Sequence, residues 1–444
     1  MRSPATSISE HPLQSWWMPF APNRRFKAKP RLIASARGAY YTLEDGRRVF
    51  DCLSGLWCSP IGHAHSGITH AVSQQLETLD YCPFQLGHAG AFELAQRIAT
   101  LAGRPNDRVF FVNSGSEAVD TALKIAIAYH RLRGESCRTR IIGRERSYHG
   151  VGLGGMSVGG ILPNRKMFMP LMVPGVDHLP HTYSAPDMAF SRGQPKWGAH
   201  LADELERLIA LHDASNIAAV IIEPVQGSTG VIVPPQGYLQ RLRNICNRNG
   251  ILMIFDEVIT GFGRLGRSFA ADYFEVSPEI TVFAKGVTNG AVPMGGVLVS
   301  ESIHDIFMSG PQDAIEFFHG YTTSAHPLAV AAAHASLDAL LGERLIERAD
   351  DLAPLLESGI HGLRGEPYVA DIRNIGFAAA LQLEPIPDQP GRRALAFFEQ
   401  ALEEGFLVRF TGDTIALAPP FISTPEQIKS MIEGMRRTLR SLDS

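Results

Sequence analysis

Apolar residues in this chain fall into short, nearly unbroken runs separated by amphipathic stretches. Ile217-Ala218-Ala219-Val220-Ile221-Ile222 and Ile251-Leu252-Met253-Ile254-Phe255 contain no polar side chain. Strands covered on both faces have this pattern. Arg108-Val109-Phe110-Phe111-Val112, residues 139–143 and Val282-Phe283-Ala284 read the same way. Between them, residues 91–101, 117–133, 201–211 and 238–248 repeat apolar side chains at helical spacing, as in Val119, Ala122, Leu123, Ala126 and Ile127. Strands alternating with helices predict a mostly parallel sheet joined by right-handed crossovers.

The two ends have a different rhythm. Residues 40–51 predict two short strands joined by a turn containing Asp45-Gly46. From about Ala325 the pattern gives helices over 328–341 and 345–363, then strands over 369–372 and 376–383. A helix over 393–404, strands over 406–410 and 414–418, and a last helix from Pro425 follow. This C-terminal part reads as α+β, and the N-terminal strands are expected to pack with it. The predicted organisation is a large α/β domain over 71–324 and a smaller, discontinuous one over 1–70 and 325–444.

Composition narrows the function. The 444 residues are 45% hydrophobic and 19% charged, which excludes disorder as the main state. Lys plus Arg is 41 against 45 Asp plus Glu, a net charge of −4. No basic surplus exists to neutralise a phosphate backbone, which argues against a nucleic-acid binder. The five cysteines are scattered, with no Cys-x-x-Cys pair. They read as reduced thiols of a cytoplasmic protein, not as a disulfide frame or zinc site. No signal-like apolar segment opens the chain, and no apolar run approaches the ~18 residues of a membrane span.

Three predicted strands end in candidate chemistry, and ligands of open α/β sheets bind at such ends. In Val112-Asn113-Ser114-Gly115-Ser116-Glu117, Ser114 and Glu117 fit a capping box at a helix start. Gly115 allows close approach, and the N–H groups there favour a phosphate. The plainer reading is a cap that binds nothing. Asp256 follows a strand expected to be buried, so its carboxylate needs a cationic or proton-donating partner. A pyridinium nitrogen would serve, and so would a turn. Lys285 closes Val282-Phe283-Ala284. A buried lysine has a lowered pKa, which Schiff-base chemistry needs, whereas an ordinary strand-end lysine snorkels to solvent. Together the three match the parts that hold pyridoxal phosphate.

Asn113-Ser114-Gly115-Ser116-Glu117-Ala118, Tyr148-His149-Gly150, Glu223-Pro224-Val225-Gln226-Gly227, Asp256-Glu257-Val258-Ile259-Thr260-Gly261-Phe262-Gly263-Arg264 and Ala284-Lys285-Gly286 resemble the blocks of class III pyridoxal-phosphate aminotransferases. The likeness runs from about Arg37 to the C-terminus. Residues 143–152, 190–195 and 407–417 resemble the ω-amino acid:pyruvate (β-alanine:pyruvate) branch. The resemblance implies fold type I, with a large mostly parallel-sheet domain plus a smaller α+β domain, and pyridoxal 5'-phosphate as cofactor. It also implies transamination from β-alanine, another ω-amino acid or a primary amine to pyruvate.

By the same resemblance, Lys285 would anchor the cofactor and then carry the proton, and Asp256 would pair with the ring nitrogen. Tyr148 would stack on the ring and Val258 pack behind it. Ser114, Gly115, Ser116 and His149 belong to the cofactor-binding blocks, with Gly115 and Ser116 at the phosphate. Glu223 would sit near the cofactor face, and Thr322 would reach the phosphate of a neighbouring subunit. That last role implies a homodimer with shared active sites, or a tetramer of such dimers. Arg409 would hold the substrate carboxylate. Leu56, Trp57, Phe84 and Tyr148 would line the substrate pocket, Phe84 from the partner chain. Residues 415–420, Ile-Ala-Leu-Ala-Pro-Pro, lack the arginine of the γ-aminobutyrate and ornithine branches. Thr323 and Ala325 depart from the tyrosine and glycine common in the branch.

Gly150-Val151-Gly152-Leu153-Gly154-Gly155 matches a dinucleotide motif, but it does not directly follow a strand, and Gly159, Gly160 and Pro163 replace the expected helix. His63 and His65 lack further ligands at metal spacing, so no metal is expected. A decarboxylase or aminomutase of the same fold would keep Lys285 and Asp256 without needing Arg409. A non-catalytic binding protein would not need Lys285.

Overall fold

A computed structural model describes residues 10–442. Its centre is a seven-stranded sheet. The strands are β1 (Arg108–Val112), β2 (Arg140–Arg144), β3 (Val176–Leu179), β4 (Ile217–Ile222), β5 (Leu252–Asp256), β6 (Ile280–Ala284) and β7 (Gly295–Val299). Their order is β1-β7-β6-β5-β4-β2-β3. Parallel pairing joins β6, β5, β4, β2 and β3. β7 is antiparallel to both β6 and β1, so β1 to β6 all point the same way. Every residue of β4, β5, β6 and β7 is buried, Asp256 and Thr281 included, as in strands covered on both faces.

Strand β7 is an element that periodicity did not reveal. It opens on two glycines, which read as a turn in sequence but serve close approach here. A Cβ on Gly296 would lie 2.3 Å from the Phe283 ring, and one on Gly295 would lie 2.6 Å from the Ser114 carbonyl oxygen. Only glycine lets β7 slot between β6 and β1. Val176–Leu179 and the helix Ser66–Thr78 also go beyond the expected elements.

Two four-stranded sheets flank this core. One comprises Ile33–Arg37, Tyr40–Leu43 and Arg48–Asp51, closed by Phe406–Leu407 in parallel with Arg48–Asp51. The expected contact between the two chain ends is therefore a strand pairing. The other sheet is antiparallel and holds Val369–Ile375, Ala378–Leu383, Thr414–Leu417 and Arg409–Thr411. The single strand expected over 406–410 is thus two. The chain changes sheets at buried Val408, because its halves pair with different partners. Helix Ser66–Thr78 packs on Pro327–Gly342, so a domain boundary at residue 70 falls inside a helix.

The glycine-rich stretch after Tyr148-His149 is partly helical, contrary to its sequence pattern. A helix does form there, Leu153–Val158, followed by Leu162–Phe168. It is six residues long and stops at Gly159. The stretch is far shorter than the crossover helix of a dinucleotide fold. Among the described residues, no helix is long and apolar enough to cross a membrane.

Candidate active site

The common direction of β1, β4, β5 and β6 brings their C-terminal ends to one edge. Register does the rest. Gly295 pairs with both Ala284 and Val112, Asp256 pairs with Val282, and the Glu257 N–H donates to the Val282 carbonyl at 2.9 Å. Lys285, Asp256, Glu223 and the segment 113–116 thereby border one space.

Helix α1 (Gly115–Leu132) follows β1 and buries Ala118, Val119, Ala122, Leu123 and Ala126. Ser114 caps it, its Oγ accepting the Glu117 N–H at 3.2 Å. The reciprocal half of the expected box is shifted by one residue. Glu117 Oε2 accepts the backbone N–H of Asn113 at 2.7 Å and its side-chain amide at 2.9 Å. Thr323 Oγ1 donates to Asn113 Oδ1 at 2.7 Å. Ser116 Oγ accepts the Val151 N–H at 3.0 Å, which ties the Tyr148-His149-Gly150 loop to the helix start. A Cβ on Gly115 would meet Val258 Cγ2 at 3.1 Å, so Val258 walls this cradle.

Asp256 is buried, and its carboxylate has two partners. His149 Nδ1 lies 2.7 Å from Oδ2, and the Val258 N–H donates to Oδ1 at 3.1 Å. Asp256 is thus fixed from behind by a ring the sequence placed only within a cofactor-binding block. Glu223 Oε1 accepts the Tyr148 N–H at 2.8 Å, and Oε2 accepts that of Gly227 at 3.2 Å. Burial, with a smaller contribution from Asp256, raises the Glu223 pKa to about 7. Behind it, buried Arg144 donates to the Glu223 carbonyl at 2.6 Å.

Lys285 carries a positive φ of 50°. Burial lowers its pKa, and the charges of Asp256, Cys58 and Glu223 oppose that shift in part. Arg409 stands at the start of its strand, and burial lowers its pKa while Tyr148 opposes. Among the described residues, neither Lys285 Nζ nor the Arg409 guanidinium forms a hydrogen bond or ion pair with another side chain. Tyr148 is half-buried between Arg409, Asp256 and Glu223, and burial raises its pKa. A free amine, a free guanidinium, a buried carboxylate and a helix start form a site for a molecule bearing a carbonyl, a phosphate and a ring nitrogen.

A model of the family described as aminotransferase class-III matches residues 22–439. The chain belongs to the class III aminotransferases. Similar relatives include an omega-aminotransferase of Caulobacter vibrioides, 53% identical over 97% of this chain and 98% of the relative. A beta-alanine--pyruvate aminotransferase of Pseudomonas aeruginosa is 51% identical over 98% and 97%. An amine transaminase from an uncultivated Pseudomonas species, solved in its PLP-bound form, superposes with a TM-score of 0.88 at 34% identity, covering 99% of both chains. The aminotransferase has the fold type I architecture, and its cofactor is pyridoxal 5'-phosphate. The residues fit this group: the amine of Lys285 is unpaired among the described residues, a Cβ on Gly115 would crowd Val258 at 3.1 Å, and Asp256 is anchored by His149 and the Val258 N–H.

The remaining expected site residues differ in exposure. Leu56 is exposed, whereas Trp57 is 4% exposed and covers the Arg264 guanidinium, 5.9 Å from its ring. Phe84 is 70% exposed. Thr322 is exposed, and its carbonyl accepts the Tyr81 hydroxyl at 3.0 Å. His63 and His65 pair with Asp51 and Glu343. No cluster of three or more metal-ligating side chains occurs among the described residues.

Proposed function

We propose that this aminotransferase moves the amino group of β-alanine, another ω-amino acid or a primary amine to pyruvate, giving an aldehyde or ketone and L-alanine. The observation that carries this reading is Arg409. A half-buried guanidinium beside Tyr148 with no counter-ion among the described residues is free for a substrate carboxylate, which it can hold through two hydrogen bonds. The omega-aminotransferase of Caulobacter vibrioides and the beta-alanine--pyruvate aminotransferase of Pseudomonas aeruginosa support it.

Pyridoxal phosphate, when bound, links to an amine through its carbonyl and draws electrons from the neighbouring carbon. Lys285 would hold it covalently. Its lowered pKa favours the neutral amine, which takes the proton from the substrate carbon at Nζ and returns it. Asp256 would hold the proton on the ring nitrogen, with His149 fixing the carboxylate. Gly115 and Ser116, beside Ser114, would bind the phosphate, Tyr148 would cover the ring and Val258 would back it. Glu223 would border the cofactor face. Leu56, Trp57, Tyr148 and Phe84 would line the pocket, with Arg409 at the carboxylate. Donor and acceptor would use the same site in turn.

The exposed Phe84 and Thr322 support a homodimer in which each chain completes its partner's site. The strand pairing of Arg48–Asp51 with Phe406–Leu407 supports joining the chain ends, 1–70 with 325–444, in one discontinuous domain beside 71–324, with the first boundary moved off residue 70 to keep helix Ser66–Thr78 whole. Five unpaired cysteines support a cytoplasmic location. A panel of amines assayed with pyruvate, scored by alanine formed, tests the function. Turnover of β-alanine or a simple primary amine with pyruvate upholds it, and turnover only with another keto acid contradicts it.

A further inference from the structure

The turn from Asp51 to Cys58 has a backbone that its own sequence does not favour. Ser54, Gly55 and Trp57 have φ of 49°, 67° and 66°. Ser54 and Trp57 carry a Cβ, which crowds the backbone in this region. Such conformations persist only where the surroundings over-determine them, and they cluster at functional sites.

Here the surroundings are three side chains. Asp51 is fully buried. Its Oδ1 accepts the Leu53 N–H at 3.0 Å, and its Oδ2 accepts the Gly55 N–H. His63 Nε2 lies 2.7 Å from the same Oδ2, and its ring packs on Tyr41 with centroids 4.3 Å apart. From the other side, Arg264 donates to Ser54 Oγ at 3.0 Å, and Ser54 donates to the Ala418 carbonyl at 2.8 Å. Arg264 also donates to the carbonyls of Phe377 and Pro419. Its guanidinium lies between Trp57 and Phe421, 5.9 and 4.6 Å from their rings.

The clamped turn reaches the reacting centre. A Cβ on Gly290 would lie 3.0 Å from Cys58 Sγ, and the Gly290 N–H donates to the Lys285 carbonyl at 3.3 Å. The same backbone that buries Trp57 turns Leu56 outward.

We propose that Asp51, held by His63 and opposed by Arg264, is a positioning residue that sets donor selectivity by fixing Leu56 and Trp57. This rests on reading those two residues as the substrate wall. Asp51 touches neither substrate nor cofactor. Its carboxylate supplies acceptors for N–H groups that an ordinary turn would satisfy differently. With one acceptor lost, the turn relaxes toward negative φ and the two wall residues move.

The test compares the holoenzyme with Asp51→Asn, which keeps the volume but loses an acceptor. The donor half-reaction is followed by loss of the bound cofactor's visible band, with β-alanine and with a bulky aryl amine. The acceptor half-reaction is followed by its return with pyruvate. We expect the ratio of kcat/KM for the two donors to change at least fivefold, with donor KM shifting more than kcat. The pyruvate step should stay within about twofold. An unchanged ratio, or equal loss in both half-reactions, overturns the proposal. If Asp51→Asn does not fold, His63→Ala, which leaves the carboxylate in place without its ring partner, is held to the same criteria. A wild-type enzyme that takes another keto acid would refute the proposed acceptor while leaving the donor ratio readable.

Discussion

His149 Nδ1 and Asp256 Oδ2 lie 2.7 Å apart, both residues buried and 107 positions apart in the chain. A carboxylate so placed needs this donor, since unpaired burial is costly. His149→Ala removes a hydrogen bond to a charged group, worth about 1.5–3 kcal/mol. We predict a loss of that size in chemical unfolding of the holoenzyme, together with weaker cofactor retention on dialysis. An unchanged unfolding midpoint would show that the pair contributes nothing.

Lys285→Ala should abolish turnover, by a factor of 10³ or more on the order of what combined covalent and acid–base catalysis supplies. The fold should survive, because among the described residues the Lys285 side chain makes no hydrogen bond to another side chain, and the residue follows β6. Circular dichroism checks the fold, and alanine formation checks the activity. Full transamination by this variant would sink the assigned role.

Glu223 gives the pH dependence a sign. Burial raises its pKa from 4.5 to about 7 in the folded chain. Between those values the folded state binds the proton and the unfolded chain does not. Stability from this group is therefore complete below about pH 4.5 and is lost as pH rises through about 7. The share is on the order of 3 kcal/mol. Glu223→Gln should flatten that part of the curve when unfolding is measured at intervals from pH 5 to pH 8. An identical slope in both proteins would contradict it.

Arg409→Ala should raise the KM for pyruvate roughly tenfold to a hundredfold, the effect of losing a charge-assisted contact. A simple amine donor without a carboxylate should change far less. Steady-state kinetics with both substrates varied decides this, and equal effects would remove the carboxylate role.

Much of this site was legible in the chain because its chemistry sits at the ends of apolar runs. Ile254-Phe255 before Asp256 and Val282-Phe283-Ala284 before Lys285 mark buried strands, and in a parallel sheet their ends share one edge. What was hidden depends on contacts distant in sequence. His149 meets Asp256 across 107 positions, and Arg264 reaches Ser54 across 210. No local periodicity carries such pairs. Strand β7 is not legible in the sequence, because Gly295 and Gly296 look like a turn until the Phe283 ring that excludes a Cβ on Gly296 is in place. The split at Val408 is hidden for a related reason: Phe406–Leu407 and Arg409–Thr411 are nearly continuous in sequence but pair in two sheets.

One site takes an amino group from a donor and passes it to pyruvate. The most direct test is the visible spectrum of the purified holoenzyme before and after β-alanine, with no keto acid present. The cofactor's visible band should bleach, then return on adding pyruvate, with one alanine formed per site. A band that neither bleaches with β-alanine nor with any primary amine, in protein that retains its cofactor, would contradict it.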